Sequence, residues 1–229
     1  MNDDDRTRRS RKAWGNSDPA RKGSNMFTVY LVDDDANFLK ALSGLLGAKG
    51  YVVRSFGSAE EFLAQHEPAI PGCAILDLSM PGLNGLELQQ VLVSGGWQRP
   101  IIFLSGKGNI PASVRAMKAG AVDFLTKPVR KNDLLQAISR AELVDTQIRR
   151  SNAEFAAAQA KIKSLTPRER EVLSHLLAGR LNKQIAGDLG TVERTIKFHR
   201  GNVMHKLGVR MVTDLVRLAE KSGISVAKF

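Results

Sequence analysis

Four short apolar runs in the first 130 residues each break off on a side chain fit for chemistry. Thr28-Val-Tyr-Leu-Val32 runs into Asp33-Asp34-Asp35, and Cys73-Ala-Ile-Leu76 ends on Asp77 before a Pro81-Gly82 loop. Pro100-Ile-Ile-Phe-Leu104 delivers Ser105 and then Gly106-Lys107-Gly108, while Val122-Asp-Phe-Leu125 delivers Thr126-Lys127-Pro128. Apolar runs this short read as buried strands. Helical segments fall between them, near 36–48, 58–65, 85–92, 110–119 and 131–140. Five repeats of strand then helix predict βαβ units and a doubly wound, five-stranded parallel sheet. Ligands of such sheets sit beyond the carboxyl ends of the strands, so the acidic cluster, Asp77, Ser105 and Lys127 are expected along one edge. A single Asp after a strand would more simply turn a loop or cap a helix; four matching strand ends ask for a shared purpose. Within the first helix Phe38, Leu42, Leu45 and Leu46 form one stripe, which reads as core packing with no part in the site.

The chemistry these groups suit is phosphoryl transfer to a carboxylate. Asp77 has the oxygen nucleophile, and an activated phosphoryl group would convert it to an acyl phosphate. Asp33, Asp34 and Asp77 make a hard oxygen site of the kind that suits Mg²⁺. Lys127 would offset charge on the transferring oxygens, and the Ser105 hydroxyl could donate to the product. No Gly-x-x-x-x-Gly-Lys-Ser/Thr loop is present to cradle a nucleotide, so the donor is expected to be another protein or a small phospho-compound.

From about residue 26 to 142 the chain resembles the receiver domain of two-component response regulators. The resemblance rests on Val32-Asp33-Asp34, Asp77-x-x-Met80-Pro-Gly82, Ser105-Gly106 and Lys127-Pro128, in that order. It implies that Asp77 is the phosphoacceptor, that Asp33 and Asp34 serve the Mg²⁺ site, and that Ser105 and Lys127 are switch contacts. It further implies that Phe124 is the aromatic residue whose rotamer follows phosphorylation, and that Lys127-Pro128 carries a cis bond. Ser79, two residues after Asp77, departs from the Arg or Asn common in relatives and leaves the phosphoryl lifetime open.

A length of 229 residues predicts two compact units, and the formal net charge of +11 separates them. Residues 26–142 hold 11 basic and 11 acidic side chains, whereas 164–229 hold 12 basic and 6 acidic. A basic unit beside a neutral one points to a polyanion as partner of the basic one. Residues 1–25, polar with Arg6, Arg8, Arg9, Arg11 and Lys12, read as a disordered tail: a basic arm for DNA or a dispensable extension before Met26. Residues 143–163 contain neither Gly nor Pro and predict a stiff helical linker, with apolar spacing too irregular for a coiled coil. Cys73 is the only cysteine, so an internal disulfide and a thiolate metal cluster are excluded. With no apolar run of the ~18 residues that spanning a membrane requires, and no signal-peptide core, a cytoplasmic protein without membrane contact is expected.

The basic unit opens on Leu165-Thr-Pro-Arg-Glu169, where Thr166 and Glu169 form a capping box around Pro167 at the first helical position. A second helix is expected near 183–189, a third near 193–207 and a last near 213–221. On the third, Ile196, Val203 and Leu207 mark the inward side, and Arg194, Lys197, Phe198, Gly201 and His205 lie opposite. Cations, an aromatic ring and a glycine on one helix face suit base edges in a major groove. Leu165-Thr-Pro-Arg-Glu-Arg-Glu-Val-Leu173, Asn182-Lys-Gln-Ile-Ala186, Glu193-Arg-Thr-Ile-Lys-Phe-His-Arg200 and Lys206-Leu-Gly208 resemble the LuxR-type helix-turn-helix of NarL/FixJ response regulators. The stretch from Ser105 to Phe124 is most similar to FixJ-like members. The resemblance implies that Arg194, Lys197 and Phe198 face bases, that Lys183, His199 and Arg200 touch phosphates, and that the last helix pairs copies on DNA. Val192 stands where a polar residue is usual, so the recognition helix is capped by Thr191 or weakly.

These features together predict a phosphorylation-switched, sequence-specific transcription regulator and not an enzyme with a separate substrate. Its expected partners are DNA, a sensor histidine kinase, RNA polymerase and, once phosphorylated, a second copy of itself. The rival is a phosphotransfer protein serving as a phosphate sink, whose basic unit binds DNA without selectivity.

Overall fold

The computed structural model describes residues 27–67, 69–106 and 110–224. The tail before residue 26, Met26 itself, and Lys107 and Gly108 lie outside the described residues. Five strands, β1 (Thr28–Val32), β2 (Val52–Phe56), β3 (Gly72–Asp77), β4 (Ile101–Ser105) and β5 (Asp123–Thr126), form one parallel sheet in the order β2-β1-β3-β4-β5. Register pairs Val32 with Leu76, Asp77 with Leu104, and Ser105 with Thr126, which brings the carboxyl ends of the inner strands level. The order reverses between β1 and β3, the place where an open α/β sheet forms its crevice.

Strands with both faces covered need apolar residues throughout, and β1, β3 and β4 are buried along their entire lengths. On one face α1 (Ala36–Gly47) and the first part of α5 (Lys131–Lys163) pack Leu39, Leu42, Leu46, Leu134, Ile138 and Ala141 against Val29, Leu31, Ile75 and Ile102. On the other, α2 (Ala59–Gln65), α3 (Gly85–Ser94) and α4 (Ile110–Lys118) set Phe62, Leu88, Leu92 and Ala112 against Tyr30, Leu76 and Phe103.

The helix expected to stop near Arg140 continues to Lys163. Nothing in its 33 residues interrupts it, since neither Gly nor Pro occurs between Lys131 and Lys163. Its last carbonyl, Lys163 O, accepts from an η nitrogen of Arg170 in the next unit at 3.1 Å, and the Arg170 Nε donates to Leu165 O just beyond the helix at 3.1 Å.

Four helices follow: α6 (Pro167–Leu177), α7 (Asn182–Asp188), α8 (Glu193–Leu207) and α9 (Val212–Lys221). Their core gathers Leu165, Val172, Leu176, Ile185, Ile196, Val203, Leu207 and Leu215. α6 begins with the capping box: Thr166 Oγ1 accepts from the Glu169 N–H at 3.3 Å, and Glu169 Oε2 accepts from the Thr166 N–H at 2.8 Å. Gly208 ends α8 in the left-handed region at φ 69°, a C-cap geometry that glycine adopts without strain.

Glu169 does more than cap. Its buried carboxylate also meets Lys206 Nζ at 2.7 Å and so joins α6 to α8. The Lys206 hydrogen bond and then the Thr166 N–H hold its pKa below the ordinary glutamate value. A carboxyl group lowered in this way stabilises the fold fully above its ordinary pKa and loses that contribution as pH falls through the lowered value. Glu169→Gln is therefore expected to cost roughly 1–2 kcal/mol at neutral pH. In urea unfolding at stepped pH, the gap to the parent should close below about pH 4.5; a gap independent of pH would refute the ionic contribution.

Candidate functional site

The three inner strands carry Asp33, Asp77 and Ser105 to the same edge, and the segment after β5 carries Lys127 to it. Asp33, Asp77 and Ser105 are buried, at 3%, 5% and 2% exposure. Carboxylates so buried require compensation. Lys127 supplies it, its Nζ lying 2.5 Å from Asp33 Oδ2 and 2.6 Å from Asp77 Oδ1. Backbone N–H groups take the remaining oxygens: Ser79 N donates to Asp77 Oδ2 at 2.6 Å, and Asp35 N to Asp33 Oδ1 at 3.0 Å. Lys127 is tied to the same edge through its own N–H, which donates to Ser105 O at 2.7 Å. The Lys127-Pro128 bond is cis.

Asp33 and Lys127 shift in the same direction for opposite reasons. Burial disfavours the Asp33 carboxylate and raises its pKa, even against hydrogen bonds from Lys127 and the Asp35 N–H. Burial also opposes the charge of Lys127, but hydrogen bonds to Asp33 and Asp77 outweigh it, and the ammonium is held above the ordinary lysine value.

The three adjacent aspartates divide into different tasks. Asp33 belongs to the buried cluster. Asp35 is the N-cap of α1, its Oδ1 accepting from Asn37 N at 2.9 Å and Phe38 N at 3.1 Å. Asp34 is exposed at the rim of the open cleft that Asp33, Asp77, Ser79, Ser105 and Lys127 line. Asp33, Asp34 and Asp77 consequently do not form a ready-made cage: among the described residues no three His, Cys, Asp or Glu side chains are grouped to hold a metal ion. The donor chemistry still fits Mg²⁺, which takes one or two carboxylates and completes its shell with water and phosphate oxygens.

Phe38 packs against the core as expected, and it also takes part in the site. Lys127 Nζ stands 4.4 Å from the centre of its half-buried ring, a cation–π contact at the cleft. The stripe pattern gave it away only as apolar, because its contact lies 89 residues along the chain. Gly85, the first residue of α3, was equally silent in the sequence. A Cβ there would stand 2.2 Å from the Asp77 carbonyl oxygen, so the helix start and the Asp77 backbone are in closest approach. Phe124 is half-buried, its ring 6.2 Å from that of Phe103 and tilted by 31°. Ser79 is exposed.

In the C-terminal unit Arg194, Lys197, Phe198, Gly201 and His205 are all exposed along α8, with Phe198 at 65%. Lys183 is exposed near the start of α7. His199 and Arg200 are half-buried, and Arg200 donates to Asn182 Oδ1 at 3.3 Å, bracing α8 against α7. Val192 is the N-cap of α8 and makes no side-chain capping bond. The weak-cap alternative is the one the structure adopts.

Two family models match the chain: the response regulator receiver domain over residues 29–139, and the luxR family of bacterial regulatory proteins over 163–219. Nodulation protein W of Bradyrhizobium diazoefficiens is 40% identical over 212 residues, covering 93% of each chain. The solved structure of the response regulator StyR covers 86% of this chain and 99% of its own, with 42% identity and a TM-score of 0.75. Full-length FixJ from B. japonicum covers 88% of this chain and 100% of its own, with 37% identity and a TM-score of 0.53. Among the described residues no helix is long and apolar enough to cross a membrane.

Proposed function

Because this chain belongs to the response regulators that join a receiver domain to a LuxR-type DNA-binding domain, as the FixJ-like transcription regulators do, we propose that phosphorylation of Asp77 switches its binding to DNA. The observation that carries this reading is the buried Asp77 carboxylate, held between Lys127 Nζ at 2.6 Å and the Ser79 N–H at 2.6 Å at an open cleft. In this reading the receiver spans 26–142, 143–163 form the helical linker, and 164–229 bind DNA.

A sensor histidine kinase donates the phosphoryl group. An Asp77 oxygen forms the new O–P bond as the donor's N–P bond breaks, and the pair of electrons returns to the donor imidazole. Mg²⁺, when bound by Asp33 and Asp77 with Asp34 at the rim, shields the carboxylates from the negative phosphoryl oxygens. Lys127 already faces Asp77 and has only to keep its charge toward the modified oxygen. The Ser105 hydroxyl donates to a phosphoryl oxygen, and the Phe124 ring turns inward as the segment around it closes. The surface of α4 and β5 then pairs two copies, and the exposed face of α8 is brought to two half-sites. There Arg194, Lys197, Phe198 and Gly201 meet base edges, and Lys183, His199 and Arg200 meet phosphates. A protein so employed works in the cytoplasm, beside DNA and RNA polymerase.

Selection from a random duplex library at near-physiological salt tests the proposal, run with and without acetyl phosphate and Mg²⁺. A motif of two half-sites should be enriched, and phosphorylation should raise affinity for it at least about tenfold, a coupling of ~1.4 kcal/mol. Asp77→Asn should erase the gain while leaving basal binding. No enrichment in any state, with Asp77 phosphorylated, would favour the phosphate-sink reading.

A further inference from the structure

The linker helix carries a carboxylate with no part in the phosphorylation site and almost no exposure to solvent. Asp145, on α5, is 4% exposed. Burial pushes its pKa up, and the nearby guanidinium charges of Arg99 and Arg149 and the Gly72 N–H at the first residue of β3 act against that rise. Arg99 lies two residues before β4 and stacks on Trp97, its guanidinium carbon 5.2 Å from the ring centre. Two turns farther along α5, Asn152 Nδ2 donates to Gln98 Oε1 at 2.7 Å. Asp145, Ile148, Arg149 and Asn152 therefore line one cavity with Trp97, Gln98 and Arg99. The segment expected to be a plain connector is docked on the amino-terminal edge of the sheet.

That docking has a specific relation to the opposite edge. β3 begins at Gly72 and ends at Asp77; the β4 segment begins just after Arg99 and ends at Ser105. The strands that end at Asp77 and Ser105 thus begin near the same buried aspartate, β3 at Gly72 and β4 just after Arg99, which shares a cavity with Asp145. From residue 154 onward the helix belongs to the other unit. Glu154 pairs with Lys221 of α9 at 2.8 Å, Lys161 Nζ donates to Leu207 O at 3.2 Å, and Ala158 is buried. Hence no turn of α5 is left loose between the last receiver contact, at Asn152, and the first contact with the DNA-binding unit.

We propose that Asp145 is a positioning residue that couples the phosphorylation site to DNA binding, by fixing the linker helix to the starts of β3 and β4. This rests on the switch reading above. A small displacement of either strand on phosphorylation changes what Asp145 finds at Gly72 and Arg99, and the rigid helix transmits that change as a reorientation of α6 to α9. In this proposal the docked and released states of Asp145 are the two arrangements that a coupling between sites requires.

The test uses the full chain and the DNA selected above. Asp145→Ala removes the acceptor and the charge, Asp145→Asn removes the charge alone, and Gln147→Ala, at an exposed position on the same helix, is the control. Asp77 phosphorylation by acetyl phosphate, DNA affinity with and without it, and hydrogen exchange over 143–152 are measured for each. Asp145→Ala should phosphorylate at the parental rate, yet its ratio of phosphorylated to unphosphorylated affinity should fall from tenfold or more to below about threefold. Asp145→Asn should lie between, the control should keep the parental ratio, and phosphorylation should alter exchange over 143–152 in the parent. A parental ratio in Asp145→Ala, or exchange over 143–152 that ignores phosphorylation, overturns the proposal and leaves the switch standing. A parental ratio of one in the unaltered protein overturns both.

Discussion

Lys127→Ala is expected to destabilise the receiver by about 3 kcal/mol at neutral pH in the absence of divalent cations, the scale seen when one partner of a buried ion pair is deleted. The side chains of Asp33 and Asp77 are 4% and 6% exposed, and a single ammonium lies within 2.6 Å of both. Removing it leaves two like charges side by side with little water to solvate them. Burial already raises the Asp33 pKa with Lys127 present, and the variant should raise it further. A carboxyl group whose folded pKa exceeds its unfolded one contributes stability at low pH and loses it as pH rises through the folded value. The deficit should therefore be largest at neutral pH and shrink on acidification, and millimolar Mg²⁺ should recover much of it. Urea unfolding with and without Mg²⁺, at pH 7 and pH 5, reads all three effects. Parental stability at neutral pH without Mg²⁺ would sink the charge-compensation account.

The same cluster shows what a sequence can and cannot carry. That Asp33, Asp77, Ser105 and Lys127 share an edge follows from local patterns: a buried strand must be apolar, so the residue where it turns polar marks its end, and parallel connections bring such ends level. The five-stranded sheet and the helical C-terminal unit were legible for that reason, as was the Thr166–Glu169 capping box, whose partners are three residues apart. The contacts themselves were not. Lys127 is 94 residues from Asp33, and nothing in either neighbourhood says that its Nζ stands between two carboxylates. Phe38 reads as a core residue of an amphipathic helix, and no local pattern singles out Asp145. Each acquires its meaning from a partner on another element, which periodicity does not report. The α5 boundary failed for a related reason: local propensity shows where a helix could continue, while the receiver's end shows only in what packs against it.

Gly85 provides the second large effect, because its lack of a side chain is what lets α3 start against Asp77. A Cβ would fall 2.2 Å from Asp77 O and 3.1 Å from both Asp77 C and Phe103 Cε1. Neither neighbour can yield easily. The Asp77 backbone belongs to a buried strand, and α3 is pinned by the Asn84–Glu87 capping box and by the Gly85 N–H, which donates to Leu78 O at 3.2 Å. Gly85→Ala should therefore force the Asp77 loop and the helix apart, at a cost of about 3 kcal/mol by the scale of core overpacking. The displaced carboxylate should accept phosphate from acetyl phosphate at least roughly tenfold more slowly, a barrier rise of about 1.4 kcal/mol. Gly44 supplies the contrast: it lies inside α1 with nothing within 4 Å of a built Cβ. Gly44→Ala should instead stabilise the receiver by roughly 0.5–1 kcal/mol through helix propensity and leave phosphorylation unchanged. Measured side by side in urea, the two glycines should move stability in opposite directions. If Gly85→Ala matched Gly44→Ala in stability and rate, the close approach at Asp77 would have no energetic weight, and the placement of Asp77 would have to be attributed to the strand alone.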